Sequence, residues 1–332
     1  MRAEDDGVTL MVMSYKNPPQ DAISAASLRS PVRSRHDKVT AVNAGQITLA
    51  QWRLAAHRRL AAVAVEESQA CVDWLLAERL EIPRLRLGEA GGRRLTESEV
   101  EHLGRDLARL AQQEPLQYVL GTTPFCGLHL LTDSRALIPR PETEELVTLI
   151  TRDPSLLNRS PLRIVDVGTG TGCIALALAL SFPDAVVTGI DASEAALSLA
   201  RENGLRLGLH DRIHWRHGDG LTGLSPGTVE VVVSNPPYIS SDDYRALPAH
   251  IRDYEPQMAL ESGPSGLEML VRLCREASAL LSPGGMLYCE IGEDQGPQVA
   301  ASARQFGLDA IEIRKDSSGH DRFLRCSQSN RP

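Results

Sequence analysis

The sequence predicts an α/β protein with a doubly wound, mostly parallel sheet, preceded by a small all-α domain. From residue 162 onward, short apolar runs alternate with longer helical patterns, which is typical of a parallel sheet covered by helices on both faces. Residues 47–113 show only helical periodicity. Only residues 315–321 separate the last two apolar runs, too few for a crossover helix. These runs must form a hairpin, so one strand is antiparallel.

The composition limits the classes of function that this protein can have. The chain has 332 residues, 42% hydrophobic and 23% charged, which suits a globular protein of about two domains. Its net charge of −8 argues against attachment to nucleic acid through a broad basic surface. We expect no stable nucleic-acid binding and no membrane association, because no apolar run approaches the ~18 residues of a membrane-spanning helix.

The N-terminus and the cysteines indicate a cytoplasmic protein. The first residues, MRAEDDG, are acidic and no apolar segment follows them, so a secretory signal is not expected. The six cysteines form no CxxC pair and no cluster with zinc spacing. Reduced thiols, without disulfides or a metal, are the expected state.

Three predicted segments precede the alternating region: an extension, a helical domain and a linker. Residues 1–45 lack periodicity and are predicted to be a flexible extension, whereas residues 46–113 form the helical domain. Thr48 is a candidate helix cap, and Thr96 with Glu99 makes a capping-box pattern at the start of a later helix. Residues 114–141 are punctuated by Gly and Pro and predict a linker with a β-hairpin. Pro141 suits the first turn of a helix.

Residues 142–328 form the predicted catalytic domain. Its expected helices cover residues 172–180, 193–207, 266–281 and 298–306. Its expected strands cover residues 163–167, 185–190, 213–216, 229–233, 286–291, 310–314 and 322–326.

A glycine-rich loop follows the first strand of this domain. The segment Gly168-Thr169-Gly170-Thr171-Gly172 stands between a strand and a helix, at the strand edge where doubly wound sheets bind ligands. Its spacing is GxGxG and not the dinucleotide fingerprint GxGxxG, and a tight strand–helix turn is the alternative reading.

Two acidic residues follow the next two strands. Asp191 ends the second strand, where its carboxylate can accept hydrogen bonds from both hydroxyls of a ribose. Asp219 ends the third strand, where it can meet an adenine amino group or remain a solvated turn residue. Together with the glycine loop, these positions predict an adenosine-containing cofactor.

The fourth strand ends in Asn235-Pro236-Pro237-Tyr238, the most specific signal in the chain. Each proline fixes its own φ and lacks an N–H, which leaves rigid carbonyl acceptors. Asn235 adds a side-chain oxygen and Tyr238 a planar face. The alternative is an ordinary proline-rich turn with a capping Asn.

This cleft suits a planar NH₂ group, whose delocalised lone pair makes it a poor nucleophile. The Asn235 side-chain oxygen and the Pro236 carbonyl can hold both hydrogens and direct the nitrogen toward an electrophilic carbon. The electrophile we expect is the activated methyl group of S-adenosylmethionine.

With these three strand ends, the region resembles class I S-adenosylmethionine-dependent methyltransferases. The segment EPLQYVLG at 114–121, IPRPETE at 138–144 and the upstream helices narrow the resemblance to the release factor glutamine N5-methyltransferase family, HemK/PrmC. The resemblance covers about residues 47–326.

The resemblance implies methylation of the glutamine in the GGQ motif of bacterial class 1 peptide chain release factors. It also implies a substrate-binding role for the helical domain. The cofactor would be held by Asn235 and Asp219, by the ribose-binding Asp191, and by Gly168, Thr169, Gly170, Thr171 and Gly172. The substrate amide would lie against Asn235, Pro236, Pro237 and Tyr238, of which Asn235, Pro236 and Tyr238 are the candidate catalytic residues. Some members carry an aromatic residue where this chain has Gly220.

Other functions stay open at the level of sequence. A nucleic-acid adenine amine would fit the same acceptors, although base flipping would need a recognition domain that the sequence does not show. A glutamine of another protein fits equally well. A non-catalytic binding module is a third alternative, against which the intact cleft argues.

Overall fold

A computed structural model describes residues 47–156 and 159–329. The predicted extension at residues 1–45 lies outside the described residues. The chain has two regions with separate apolar cores, one built from helices alone and one built around a large sheet. The described residues contain no helix long and apolar enough to span a bilayer.

The helical region contains α1 (Leu49–Ala62), α2 (Ser68–Leu80) and α3 (Glu97–Leu110). Thr48 and Thr96 cap α1 and α3 through complete capping boxes, because each hydroxyl accepts from the third helical residue while that residue's side chain accepts from the cap N–H. The helices pack through fully buried side chains, which include Trp52, Leu60, Leu75, Leu76, Leu103 and Leu107.

The connecting segment holds α4 (Leu116–Leu120) and the predicted hairpin, with strands β1 (Thr122–Phe125) and β2 (Leu128–Leu131). The sequence did not predict α4, because Pro115 and Gly121 flank only five residues and leave no room for a periodic pattern. The Arg79 guanidinium donates to the Val119 carbonyl at 2.7 Å and ties α4 to α2. Side-chain hydrogen bonds, rather than sequence pattern, fix this helix.

The second region contains a seven-stranded sheet in the order β5-β4-β3-β6-β7-β9-β8. Its strands are β3 (Arg163–Val167), β4 (Val186–Asp191), β5 (Ile213–His217), β6 (Val229–Ser234), β7 (Leu281–Glu290), β8 (Leu308–Lys315) and β9 (Asp321–Gln328). Its helices are α5 (Pro141–Thr151), α6 (Cys173–Ser181), α7 (Glu194–Arg206), α8 (Ser241–Ala246), α9 (Ala249–Arg252), α10 (Glu268–Leu280) and α11 (Gly296–Gln305).

The predicted fold class is confirmed. All neighbours pair in parallel except β9, which is antiparallel to both β7 and β8. The expected terminal hairpin therefore exists, with β9 inserted between β7 and β8. Two large apolar clusters cover the two faces of the sheet, as a doubly wound sheet requires.

In the sheet region, the predicted helix and strand boundaries agree with the structure within two residues, except that β7 begins at Leu281, five residues before its predicted start. The short elements after β6 were not predicted. Helices α8 and α9 were not predicted, because six and four residues are too few to establish a helical period. The four-part division of the chain stays a prediction. In the structure, α5 begins at Pro141, one residue before the predicted start of the catalytic domain.

Trp215 of β5 lies directly behind the glycine-rich loop. A Cβ at Gly189 would meet the Trp215 ring at 2.5 Å, and a Cβ at Gly172 would meet it at 2.8 Å. Because interiors are close-packed, the indole excludes any larger residue at these two positions. The ring thereby sets how closely β4 and the start of α6 approach each other.

We expect Gly189→Ala to destabilise the protein by about 1–3 kcal/mol, because the added methyl group overlaps the Trp215 ring. The matched control is Gly104→Ala in α3, where an added Cβ meets nothing within 4 Å. That change should stabilise the protein by about 0.5–1 kcal/mol, since alanine favours helix. Urea unfolding of both variants measures the difference, and equal stability changes would contradict the packing argument.

Candidate active site

A cavity lies at the carboxyl ends of β3, β4 and β6. Parallel pairing brings these three strand ends to one edge of the sheet, where doubly wound sheets bind ligands. The cavity is lined by most of the sequence-predicted residues: Gly168, Thr169, Gly170, Thr171, Asp191, Asp219, Asn235 and Pro237. Gly172, Pro236 and Tyr238 are not among its lining residues.

The glycine-rich loop turns through three left-handed residues, with φ of +70° at Gly168, +56° at Gly170 and +81° at Gly172. Residues with a Cβ rarely adopt this conformation. A Cβ at Gly168 would meet nothing within 4 Å, and one at Gly170 would have its nearest neighbour at 3.9 Å. The loop therefore presents bare backbone to open space.

Asp191 connects this loop to β4. Its carboxylate accepts from the Gly170 N–H and from the Ser193 N–H, both at 2.8 Å. Burial raises the pKa of Asp191, and the backbone N–H donors act against that rise. Each carboxylate oxygen keeps a lone pair for a further donor, so Asp191 can still accept from the hydroxyls of a sugar.

Asp219 lies at the cavity rim and is mostly exposed. Its carboxylate forms an ion pair with Arg272 at 2.7 Å, a partner that the sequence did not indicate. At the neighbouring Gly220, φ is +67° and a Cβ would meet the Glu276 carboxylate at 2.5 Å. An aromatic side chain does not fit at Gly220 in this arrangement, because Arg272 and Glu276 occupy the space.

Asn235 is half-buried and projects from the end of β6 into the cavity. Its side-chain N–H donates to the Thr143 hydroxyl at 3.0 Å. The Thr143 hydroxyl donates in turn to the Glu290 carboxylate at 2.7 Å. These bonds leave the Asn235 side-chain oxygen as the acceptor that remains for a ligand.

The residues after Asn235 have different surroundings. Pro236 is buried, and Pro237 lies on the cavity wall. The Tyr238 hydroxyl donates to Glu290 at 3.2 Å, and the Tyr238 carbonyl accepts from Gln295 at 2.8 Å. Tyr238 is therefore anchored at both ends, with its hydroxyl directed toward the protein interior. Contact of Pro236 and Tyr238 with a substrate stays a prediction.

Two carboxyl groups next to the site are buried. Burial raises the pKa of Glu290 to about 7, because a low-dielectric environment disfavours the charged form. Burial likewise raises the pKa of Asp166 to about 7. Asp166 accepts from the Thr169 hydroxyl at 2.5 Å and from the Ala175 N–H at 3.2 Å, which fixes the glycine loop against α6.

This arrangement identifies a class of protein. A glycine loop and a carboxylate on adjacent strands, beside a rigid amide acceptor, are typical of class I methyltransferases, and the reversed β9 distinguishes the sheet from that of a dehydrogenase. Residues 151–252 match the model of the methyltransferase small domain.

Family membership follows from sequence comparison. Residues 51–121 match the model of the PrmC N-terminal domain. The release factor glutamine methyltransferase of Enterococcus faecalis is 39% identical over 76% of this chain and 84% of its own length. That of Caulobacter vibrioides is 34% identical over 84% of this chain and 96% of its own. The chain belongs to the release factor glutamine methyltransferase family.

A solved structure supports the fold. The hMettl16 catalytic domain in complex with MAT2A 3'UTR hairpin 6 superposes with a TM-score of 0.50 and 14% identity, covering 73% of this chain and 86% of that chain. At this identity the likeness concerns the fold alone.

The residues present fit S-adenosylmethionine, the methyl donor of this class. The bare backbone of the glycine loop admits a close ligand, and Asp191 offers carboxylate acceptors beside it. The same cavity reaches Asn235, so one ligand can extend from the loop to the amide acceptor. Trp215, Thr143 and Glu290 were missed by sequence reasoning. Of these three residues, only Thr143 lies in a segment that the sequence analysis singled out, IPRPETE at 138–144.

We expect Asp191→Asn to weaken binding of S-adenosylhomocysteine about tenfold to a hundredfold. The amide replaces one acceptor by a donor that faces a backbone N–H, and an unpaired buried group costs about 1–3 kcal/mol. Isothermal titration calorimetry gives the affinity. Asp184→Asn, at an exposed position in the turn before β4, is the matched control and should bind normally. Equal affinity of both variants would contradict the assignment.

Proposed function

We propose that this protein transfers a methyl group from S-adenosylmethionine to the side-chain amide nitrogen, N5, of the glutamine in the GGQ motif of peptide chain release factors. The observation that carries the proposal is the orientation of Asn235, whose N–H is bonded to Thr143 and whose oxygen remains available to the cavity. Membership in the release factor glutamine methyltransferase family supports the same substrate.

The chain's own residues would hold the donor at the glycine loop. Gly168, Thr169, Gly170, Thr171 and Gly172 form the loop, and Asp191 accepts from the ribose. Asp219 marks the adenine end of the cavity. When bound, S-adenosylmethionine supplies a methyl carbon made electrophilic by its sulfonium.

The cleft orients the glutamine amide so that its nitrogen can attack the methyl carbon. The Asn235 oxygen and the Pro236 carbonyl accept its two N–H groups, which directs the nitrogen lone pair toward the methyl carbon. The two acceptors also stabilise the positive charge that grows on nitrogen. With S-adenosylmethionine bound, the nitrogen would take the methyl group, the neutral thioether would leave, and the nitrogen would then release a proton to water. No strong base is needed, because an N-methylated amide cation is very acidic.

The helical region is the proposed binding site for the release factor. The Tyr254 hydroxyl, on the segment that follows the cleft, donates to the Gln112 carbonyl at 2.7 Å. This bond brings the end of the helical region next to the segment that carries Met258 on the cavity wall. A release-factor substrate occurs in the cytoplasm, which is the location we propose for this enzyme.

A nucleic-acid adenine remains the second candidate, because its amino group offers the same two hydrogens as a carboxamide. The net charge of −8 disfavours it, since phosphate contacts supply most of the affinity for nucleic acid. A glutamine of another protein is a closer alternative. Methylation assays with defined substrates separate these possibilities.

We expect Asn235→Ala to reduce methyl transfer at least a hundredfold, because loss of one acceptor removes both orientation and charge stabilisation. Its affinity for S-adenosylhomocysteine should stay within a few-fold of wild type, in contrast to Asp191→Asn. The assay combines purified enzyme, radiolabelled S-adenosylmethionine and recombinant release factor. Unchanged turnover would contradict the role of Asn235.

We expect label on the wild-type release factor and none on its GGQ→GGA variant. Duplex DNA and ribosomal protein are tested as alternative methyl acceptors in separate reactions. Label on DNA, or equal label on the GGA variant, would overturn the proposed substrate.

A further inference from the structure

We propose that Thr143 and Glu290 are positioning residues that fix the polarity of the Asn235 side-chain amide, so that its oxygen, rather than its nitrogen, faces the substrate. The inference rests on the proposed function and deepens it, because it explains how the amide acceptor is set. Neither residue touches the proposed reacting atoms. Both act through Asn235.

Three separate elements meet at this network. Thr143 lies in the first turn of α5, Glu290 ends β7, and Asn235 follows β6. The exposed fraction is 2% for Thr143 and 1% for Glu290. Their hydrogen bonds are therefore shielded from water. In such a buried environment a hydrogen bond is stronger than in water, and a missing partner costs more.

When Glu290 is ionised, the hydrogen bonds that run from Asn235 through Thr143 to Glu290 can be arranged in only one way. A carboxylate only accepts, so the hydroxyls of Thr143 and Tyr238 must both donate to it, as they do at 2.7 and 3.2 Å. The Thr143 hydroxyl has one hydrogen, which is then committed. Thr143 can only accept from Asn235, so the amide nitrogen must point toward Thr143.

The reversed amide would be unfavourable. If the Asn235 oxygen faced Thr143, two acceptors would oppose each other in a buried site, at a cost comparable to an unsatisfied polar group. The nitrogen would then face the cavity. It would present hydrogens to the hydrogens of the glutamine amide, and the cleft would lose one of its two acceptors.

The environment of Glu290 suggests that it serves this purpose rather than an ion pair. Its carboxylate accepts from the hydroxyls of Thr143 and Tyr238, whereas Arg322 pairs with Asp316 at 3.3 Å. A buried carboxylate held only by two hydroxyls is costly. The charged groups that act on it are Arg322 on β9, which favours its ionised form, and Glu142 on α5, which disfavours it.

Protonation of Glu290 would leave the orientation of the Asn235 amide unfixed. Burial raises the pKa of Glu290 to about 7, and Arg322 and the two hydroxyls oppose that rise. Below that pH the carboxyl group itself becomes a donor, so Thr143 can accept from it and donate to Asn235. The amide is then no longer held in one orientation. Turnover should fall as the pH drops through about 7.

Substitutions at Thr143 test the inference. Thr143→Val keeps the shape but removes the hydroxyl, and we expect kcat to fall about tenfold to a hundredfold, as for outer-shell groups that orient a ligand. The KM for S-adenosylmethionine should change little, whereas the midpoint of urea unfolding should fall, because buried Glu290 loses the hydroxyl that donates to it. Thr143→Ser restores the hydroxyl and should recover most of the activity. Thr148→Val is the matched control on the exposed face of α5 and should retain wild-type kcat.

The pH profile distinguishes positioning from a general packing effect. We expect wild-type kcat to fall below pH 7, and this dependence to be absent from Thr143→Val and from Glu290→Gln, whose residual activity should be flat with pH. Wild-type kcat in Thr143→Val would overturn the inference. So would retention of the wild-type pH profile in both variants.

The two proposals fail in different ways. If Asn235→Ala leaves turnover intact, the proposed function of the cleft is wrong. If Asn235→Ala abolishes turnover while Thr143→Val retains wild-type kcat, the cleft is catalytic and only the role of Thr143 and Glu290 is wrong.

Discussion

Parallel pairing on both sides of β3 is the constraint on which the rest of this structure depends. The strand is buried along most of its length and pairs in register with β4 and β6. Three chain segments therefore leave the sheet at one edge, although far apart in sequence. The glycine loop, Asp191 and Asn235 come together because apolar strands must bury both faces, and polar chemistry is possible only where the strands end.

The protein fixes these strand ends with buried carboxyl groups rather than with ion pairs. Asp166 holds the glycine loop through the Thr169 hydroxyl and the Ala175 N–H. Glu290 holds the opposite side through two further hydroxyls. A carboxylate that can only accept imposes a direction on every hydroxyl that reaches it. Directional bonds of this kind fix orientation as well as position, which an apolar contact does not do.

The segment after the cleft joins the two regions of the protein. Glu255 is almost fully buried, pairs with Arg140 and accepts from the Ile138 N–H at 3.2 Å. The adjacent Tyr254 reaches the helical region at Gln112. One short stretch therefore contacts the helices, the IPRP segment and, through Met258, the cavity wall. The geometry of the substrate entrance depends on all three contacts.

The sequence by itself determined the alternating strands and helices, the terminal hairpin and the residues at the strand ends. These features have local signals, such as periodicity, glycine spacing and the consecutive prolines of 236–237. It did not reveal α4, α8 or α9, because helices of four to six residues carry no period.

Tertiary structure alone decided what surrounds the strand ends. These contacts are Trp215 behind the glycines, Arg272 on Asp219, and the bonds from Asn235 through Thr143 to Glu290. They join residues that are 26 to 147 positions apart in the sequence. Hydrogen-bond partners and close contacts depend on how distant segments meet in space. A strand end can therefore be read from sequence, whereas the direction in which its side chain donates or accepts cannot.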